Sequence, residues 1–229
     1  MSASKSKPRP SKPAAPASRP ESPGPGRPKD MEKRAAIFAA AKRLFPLHGF
    51  DGVSMDQIAA EAGVSKLTVY SHFKDKDALF GETVRAKCEE QLPESLFLAD
   101  LKGPLRKQLR SIAEGFFALI TSEESIAMHR MIHMQASTDP HLGRAFWEAG
   151  PERIKQGFIQ FLQAEVEAGQ LEISDLRRAA GQFFCLLKGE PHARQMCGCL
   201  EPMAPRDVNA HLDATVDLFL RAYTPRKDA

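Results

Sequence analysis
One segment, Ser54–Phe73, restricts this chain more than any other, because it spells two short helices and the turn between them. Ser54-Met55-Asp56-Gln57 is a capping box: the Ser54 hydroxyl accepts from the amide of Gln57, whose side chain reaches back to the amide of Ser54. A helix starts there, with Ile58, Ala59 and Ala62 on its inner face. Ala59 is small enough to let a second helix cross closely. Gly63 supplies the left-handed backbone that a tight turn needs, Val64 plugs the junction, and Ser65 caps the next helix. That helix runs from Lys66 to about Phe73. Val69 and Phe73 pack inward, and Lys66, Thr68, Tyr70 and His72 are expected on the exposed side. A positive helix end displaying amine, hydroxyl and imidazole groups suits insertion into a major groove, with the preceding helix crossing the phosphates. Bare helix-turn-helix spacing also arises by chance, so the remainder of the chain has to agree with it.

It does agree, in being helical throughout. Past Asp30, Ala35, Ile37, Phe38, Ala41, Leu44 and Phe45 recur at helical spacing, and Gly49 stands at the terminator position. Pro46 falls in the last turn, where that helix tightens or ends. Asp75 caps a helix to about Gln91, with Ala78, Leu79, Val84 and Cys88 inward. Pro104 opens another that bears Leu105, Leu109, Ile112 and Ile120, and Ser122 caps one continuing to Ser137. Asp139-Pro140 starts the next, Gly150-Pro151 breaks it, and a further helix carries Ile154, Leu162 and Val166 as far as Gly169. Two helices close the chain, one from Asp175 through Leu187 and one from about Arg206 to Tyr223, with Pro191 kinking or splitting the first. No stretch alternates for long enough to argue a strand. The reading is all-α, with an arm at residues 1–28, a three-helix helix-turn-helix domain at 29–75, and a helical domain at 76–225.

Charge separates the arm from the body. The whole chain is formally +3, yet residues 1–30 hold Lys5, Lys7, Arg9, Lys12, Arg19, Arg27 and Lys29 against only Glu21 and Asp30. A basic arm beside a slightly acidic body suits a polyanionic partner, although flexible termini also gather lysine for solubility. The first 28 residues contain eight prolines and no apolar run, so they are expected to be a disordered, partly polyproline-like arm, neither signal peptide nor membrane span. The protein is therefore expected to be cytoplasmic, associated with the nucleoid and not with a membrane. Cys88, Cys185, Cys197 and Cys199 are too few to staple a secreted fold and are expected to be reduced.

Gly26-Arg27-Pro28-Lys29, Phe50-Asp51-Gly52-Val53-Ser54-Met55, Ile58-Ala59, Ala62-Gly63-Val64-Ser65, Val69-Tyr70-Ser71-His72-Phe73 and Lys76-Asp77-Ala78-Leu79-Phe80 together resemble the N-terminal domain of TetR-type repressors. His141-Leu142-Gly143-Arg144-Ala145-Phe146-Trp147-Glu148-Ala149-Gly150-Pro151-Glu152-Arg153 resembles the AefR-like C-terminal domain, a subgroup rich in regulators of multidrug efflux operons. That subgroup often has a glutamate in the segment before the Asp-Pro helix, where this chain has Gln135. The resemblance implies a homodimer on a palindromic operator in double-stranded DNA. Ser65, Lys66, Leu67 and Thr68 would face base edges, Tyr70, Ser71 and His72 would meet phosphate or nearby bases, and Lys76 would contact phosphate. Ser54 would offer its capped helix end to phosphate, and Arg27 and Lys29 would reach the minor groove.

The resemblance further implies a C-terminal effector cavity for a hydrophobic or amphipathic small molecule. Phe116, Phe117, Met128, His129, Met131, His133, Phe146, Trp147, Phe158, Phe161 and Phe184 are the candidate lining; any one of them alone is better explained as ordinary helical core, while a subset is expected to line the cavity. Dimerisation would use the last two long helices, through Phe183 and Leu187 and through the stripe Leu212, Val216, Phe219 and Leu220. The helix from Asp75 to Gln91 is the expected lever between the domains. Rival chemistries are weaker. His129 and His133 have metal-ligand spacing, but Arg130 stands where a metalloprotease motif needs glutamate. Cys197-Gly198-Cys199 could form a thiol switch, with no lysine or histidine immediately beside it. A DNA-packaging protein would also use a basic arm. No phosphate-cradling loop or nucleophile elbow argues for an enzyme, and no cofactor is implied.

Overall fold
Side-chain caps set where several of the helices begin. The computed structural model describes residues 27–97, 103–135, 139–199, 201 and 203–225. Its elements are α1 (Arg27–His48), α2 (Met55–Glu61), α3 (Lys66–His72), α4 (Lys76–Gln91), a 3-10 turn (Glu94–Phe97), α5 (Leu105–Thr121), α6 (Glu123–Gln135), α7 (Pro140–Ala149), α8 (Pro151–Glu167), α9 (Leu176–Met196) and α10 (Pro205–Tyr223). No strand occurs among the described residues, as the periodicity predicts. Ser54, Ser65, Asp75, Asp139 and Asp175 each accept backbone N–H groups at the start of α2, α3, α4, α7 and α9. These bonds satisfy amides that a helix cannot pair internally.

One boundary differs from the sequence reading, and two expected ones are made specific. Helix α1 already begins at Arg27, inside the expected arm, because proline is tolerated in a first turn where its missing N–H would have no partner; the rest of the arm, 1–26, lies outside the described residues. Helix α1 also runs through Pro46 to His48, since a lost hydrogen bond matters least in a last turn. Helix α9 does break near Pro191, but at Gly189, whose φ of 44° and ψ of −155° are non-helical. Only glycine adopts that backbone without strain, so it absorbs the bend that the proline ring imposes on the preceding turn. The predicted end of α6 at Ser137 lies outside the described residues.

Two apolar cores follow. One gathers Ile37, Phe45, Phe50, Ile58, Val69, Phe73, Leu79 and Phe80 from α1–α4, together with Ile132 of α6 and Leu142 of α7. The other is centred on Phe158, which stacks on Phe161 and Phe183 with ring centroids 5.8 and 4.8 Å away. Cys88 of α4 packs against both cores. Outside the second core, Arg106 of α5 spans Asp217 and Asp213 of α10 at 2.9 and 3.2 Å, fixing the register of those two helices. No helix among the described residues is long and apolar enough to cross a membrane.

Candidate nucleic-acid interface and ligand cavity
The outward face of α3 carries side chains that a core would have taken. Leu67 is 80% exposed and Tyr70 45% exposed, while Val69 between them is fully buried against α1 and α2. The turn before α3 is fixed by Gly63 at φ 65°, and Ser65 caps it by accepting from the Thr68 amide at 3.2 Å. The Ser65 and Thr68 hydroxyls are 2.9 Å apart, and Ser71 donates back to the Thr68 carbonyl at 2.7 Å. Lys66 donates to Asp56 at 2.9 Å, and that hydrogen bond and its field raise the Lys66 pKa above the ordinary lysine value. Both partners are exposed, so the pair is weak and can be exchanged for phosphate. Ser54 is held in its capping box by Gln57.

His72 corrects the sequence reading. Its side chain is only 8% exposed, with Nε2 3.2 Å from Asp30 of α1. Three residues after Val69, it falls on the same inward face of the helix, whereas the expected outward series at every second residue is a strand period. Lys76 is also committed within the protein: its ammonium donates to the Phe50 and Val53 carbonyls at 2.8 and 3.1 Å and lies 4.1 Å from the Phe50 ring centroid. Two of its three N–H donors thus brace the α1–α2 loop. Arg27 and Lys29 sit in the first turn of α1, and their side chains lie outside the described residues.

A cavity of about 470 Å³ lies where the reading helices meet the C-terminal ones. Of the candidate lining, Phe116, Met128, His129, Phe146, Trp147 and Phe184 border it. Phe117, Phe158 and Phe161 instead are buried in the C-terminal core away from the cavity. Met131 turns the other way: its sulfur accepts from the Phe50 amide at 3.0 Å and lies 3.7 Å from where a Cβ would sit on Gly49. His133 is exposed, its Nδ1 2.6 Å from the His129 carbonyl. The sequence reading missed the wall that comes from the N-terminal core: Ala41, Lys42 and Pro46 of α1, and Thr83, Val84 and Lys87 of α4. Nothing in their spacing marks them, since they border the cavity only after α1 packs across α4.

Burial, then the nearby His192 and Lys188, push the His129 imidazole down to about 4, so this ring is neutral near pH 7. Its edge meets Phe146 and His192, each with centroids 5.3 Å away. With His133 turned to backbone, the two histidines do not converge on one ion, and no group of three potential ligands forms among the described residues. Cys88 also lines the cavity, and burial raises its thiol to about 11, which keeps it protonated and unreactive. Cys185, Cys197 and Cys199 are exposed and free. Gln135 donates to Asp51 of the α1–α2 loop; the glutamate common in the resembling subgroup would set two carboxylates against each other there.

The apolar stripes of α9 and α10 also need correction. Phe183, Leu187, Leu212, Val216 and Phe219 are buried inside the protomer's own second core, and Leu220 is half-buried against it. Periodicity reports a buried face without saying what buries it. The apolar groups these helices leave in water are Leu186 and Leu218, beside a shallow cleft bordered by Gln182, Cys185, Ala222 and Tyr223.

Residues 37–83 match the TetR family of bacterial regulatory proteins, and residues 107–225 match the C-terminal domain of AefR-like transcriptional repressors. A TetR-family transcriptional regulator from Mesorhizobium loti is 32% identical with a TM-score of 0.74, the match covering 86% of this chain and 99% of that one. The flavonoid-responsive regulator FrrA is 34% identical with a TM-score of 0.70, covering 86% of this chain and 100% of its own. Among curated sequences, the transcriptional regulator YdeS of Bacillus subtilis is 38% identical over 68 residues, 30% of this chain and 34% of that protein. The chain thus spans only about a third of YdeS, and 24% of the regulator AcrR from Shigella flexneri.

Proposed function
Because this chain belongs to the TetR family of bacterial transcriptional regulators, with a C-terminal domain of the AefR-like class, we propose that it is a repressor released by a small molecule. Residues 29–75 form the reading unit and 76–225 the sensing and dimerisation unit. Two copies present α3 to successive major grooves of a palindromic operator, about 34 Å apart. Ser65, Lys66, Leu67 and Thr68 meet base edges, and Tyr70 and Ser71 meet phosphate. His72 acts from behind by holding α3 to α1, and Lys76 acts by bracing the α1–α2 loop. The copies join through the outer faces of α9 and α10, with Leu186 and Leu218 at the contact.

The observation that carries this reading is one cavity walled by α1 and α4 on one side and by α5–α9 on the other. An apolar or amphipathic effector lodged there touches the reading unit directly. Helix α4 begins one residue after Asp75 caps it, close behind α3, so any shift of α4 carries Lys76 and the loop it braces. Helix α6 reaches the same loop through Met131 and Gln135. A ligand that fits better when the two α3 helices are spread lowers operator affinity by its differential affinity for that state. The AefR-like match supports an efflux operon as the target, and the name of FrrA supports control by a small molecule.

The test is fluorescence anisotropy of the full-length protein on duplexes selected from random sequence, combined with sedimentation. A dimer that prefers its selected palindrome about a thousandfold over random duplex supports the reading. A monomer without sequence preference sinks it.

A further inference from the structure
The cavity holds more charge than an apolar pocket needs, and that charge is lopsided. Its wall includes Lys42, Arg43, Lys87, Lys155 and Lys188, but only two carboxylates, Glu90 and Glu124. Both are taken: Lys42 holds Glu90 at 3.3 Å, and Lys87 holds Glu124 at 3.4 Å. Arg43 and Lys155 have partners outside the wall, Glu61 at 2.5 Å and Glu152 at 2.7 Å. Lys188 is the exception. It is half-buried, it makes no ion pair or hydrogen bond among the described residues, and it shares its wall of α9 with Phe184 and Cys185.

An ammonium drawn partly out of water without a counter-ion is unfavourable, and a ligand that supplies the missing charge gains an interaction that a neutral one lacks. The two carboxylates of the wall are already paired with other lysines. The two nearby imidazoles feel the same positive field: Lys188 contributes, after burial, to holding both His129 and His192 below the usual histidine range. The remaining wall is aromatic and aliphatic, with Phe116, Phe146 and Ile120 set to receive an apolar body. Among the described residues of this wall, Lys188 alone of the cations lacks an ion pair, so a second ligand charge would go unmatched.

We infer that the effector is an amphipathic organic monoanion, an apolar body bearing one carboxylate, whose charge is held by Lys188. This rests on the reading of the cavity as the effector site. Trp147 provides a direct reporter, because it borders the cavity and is the single tryptophan of the chain.

The test uses the full-length protein and two matched pairs, dodecanoate with dodecanamide and biphenyl-4-carboxylate with its carboxamide. Binding is followed by calorimetry, and by Trp147 fluorescence for the aliphatic pair. In at least one pair the acid is expected to bind about tenfold or more tightly than the amide at neutral pH. Lys188→Met should remove that preference by weakening acid binding, without lowering the melting temperature. Amides that bind as well as the acids overturn the inference. So does a Lys188→Met variant that keeps the acid preference, or the failure of all four compounds to bind. Operator anisotropy separates this outcome from the proposed function. Amides that bind as tightly as the acids and release DNA sink the anion assignment alone, whereas acids held by Lys188 that leave operator affinity unchanged sink the releasable repressor and leave the anion site standing.

Discussion

The α2–α3 unit and the cavity are built under opposite rules. In the first, each cap lies within three residues of the amide it satisfies, as with Ser54 and Gln57 or Ser65 and Thr68. In the second, residues as distant as Ala41 and Lys188 face one cavity. The reading unit is thus a local object mounted on a small core, and its outer face is free of packing duties. The cavity exists only where two cores meet, so its residues serve stability and function together. Substitutions should separate the two regions accordingly, with large stability effects around the cavity and large DNA effects with little stability change on α3.

The largest expected loss of stability is for Phe158→Ala, at the centre of the second core. Emptying that space should cost about 3–5 kcal/mol by urea denaturation; a loss under about 1 kcal/mol would mean that this core is not close-packed. Next comes pH. The unfolded chain protonates His129 near its ordinary value of 6.5, whereas the folded chain holds it at about 4. Between those values the unfolded state carries the extra proton, so this contribution is constant above that window and falls as pH drops through it. The full loss is roughly 3 kcal/mol. His129→Phe should flatten most of the slope in melting curves recorded across that range, and an unchanged slope would assign it elsewhere.

Lys76→Met removes both bonds to the α1–α2 loop and should cost about 1–2 kcal/mol. It should also weaken all operator sequences alike, because the loop positions α2 and α3 as a block. Altered sequence preference in anisotropy competition would instead make Lys76 a reader of bases. The smallest stability effect belongs to Leu67→Ala, within about 0.5 kcal/mol because the side chain is in water. Its operator affinity should nonetheless fall and its sequence preference relax. If stability fell and DNA binding did not, the division between the two regions would fail.

Much of the helical order was legible because caps, prolines and glycines act over one turn. Asp75, Asp139 and Asp175 start their helices where the sequence places them. The interior of each helix was less legible. Four of the nine Phe, Trp and Met cavity candidates went to closed core or to the junction with the loop, Phe158 and Met131 among them. An apolar residue at helical spacing is equally suited to either place, and only neighbouring helices decide between them. His72 was misplaced for a different reason, an outward face read at every second residue on a helix that returns every three to four.

The sequence by itself determined an all-helical chain, a glycine-turned pair of capped helices and the family to which they belong, because each depends on interactions among near neighbours. Tertiary packing alone decided that Lys76 would brace a loop, that the stripes of α9 and α10 would close a core within the protomer, and that Lys188 would border the cavity with no ion-pair partner among the described residues. Those outcomes depend on which helix faces cross, and a periodic pattern specifies a buried face but not its occupant.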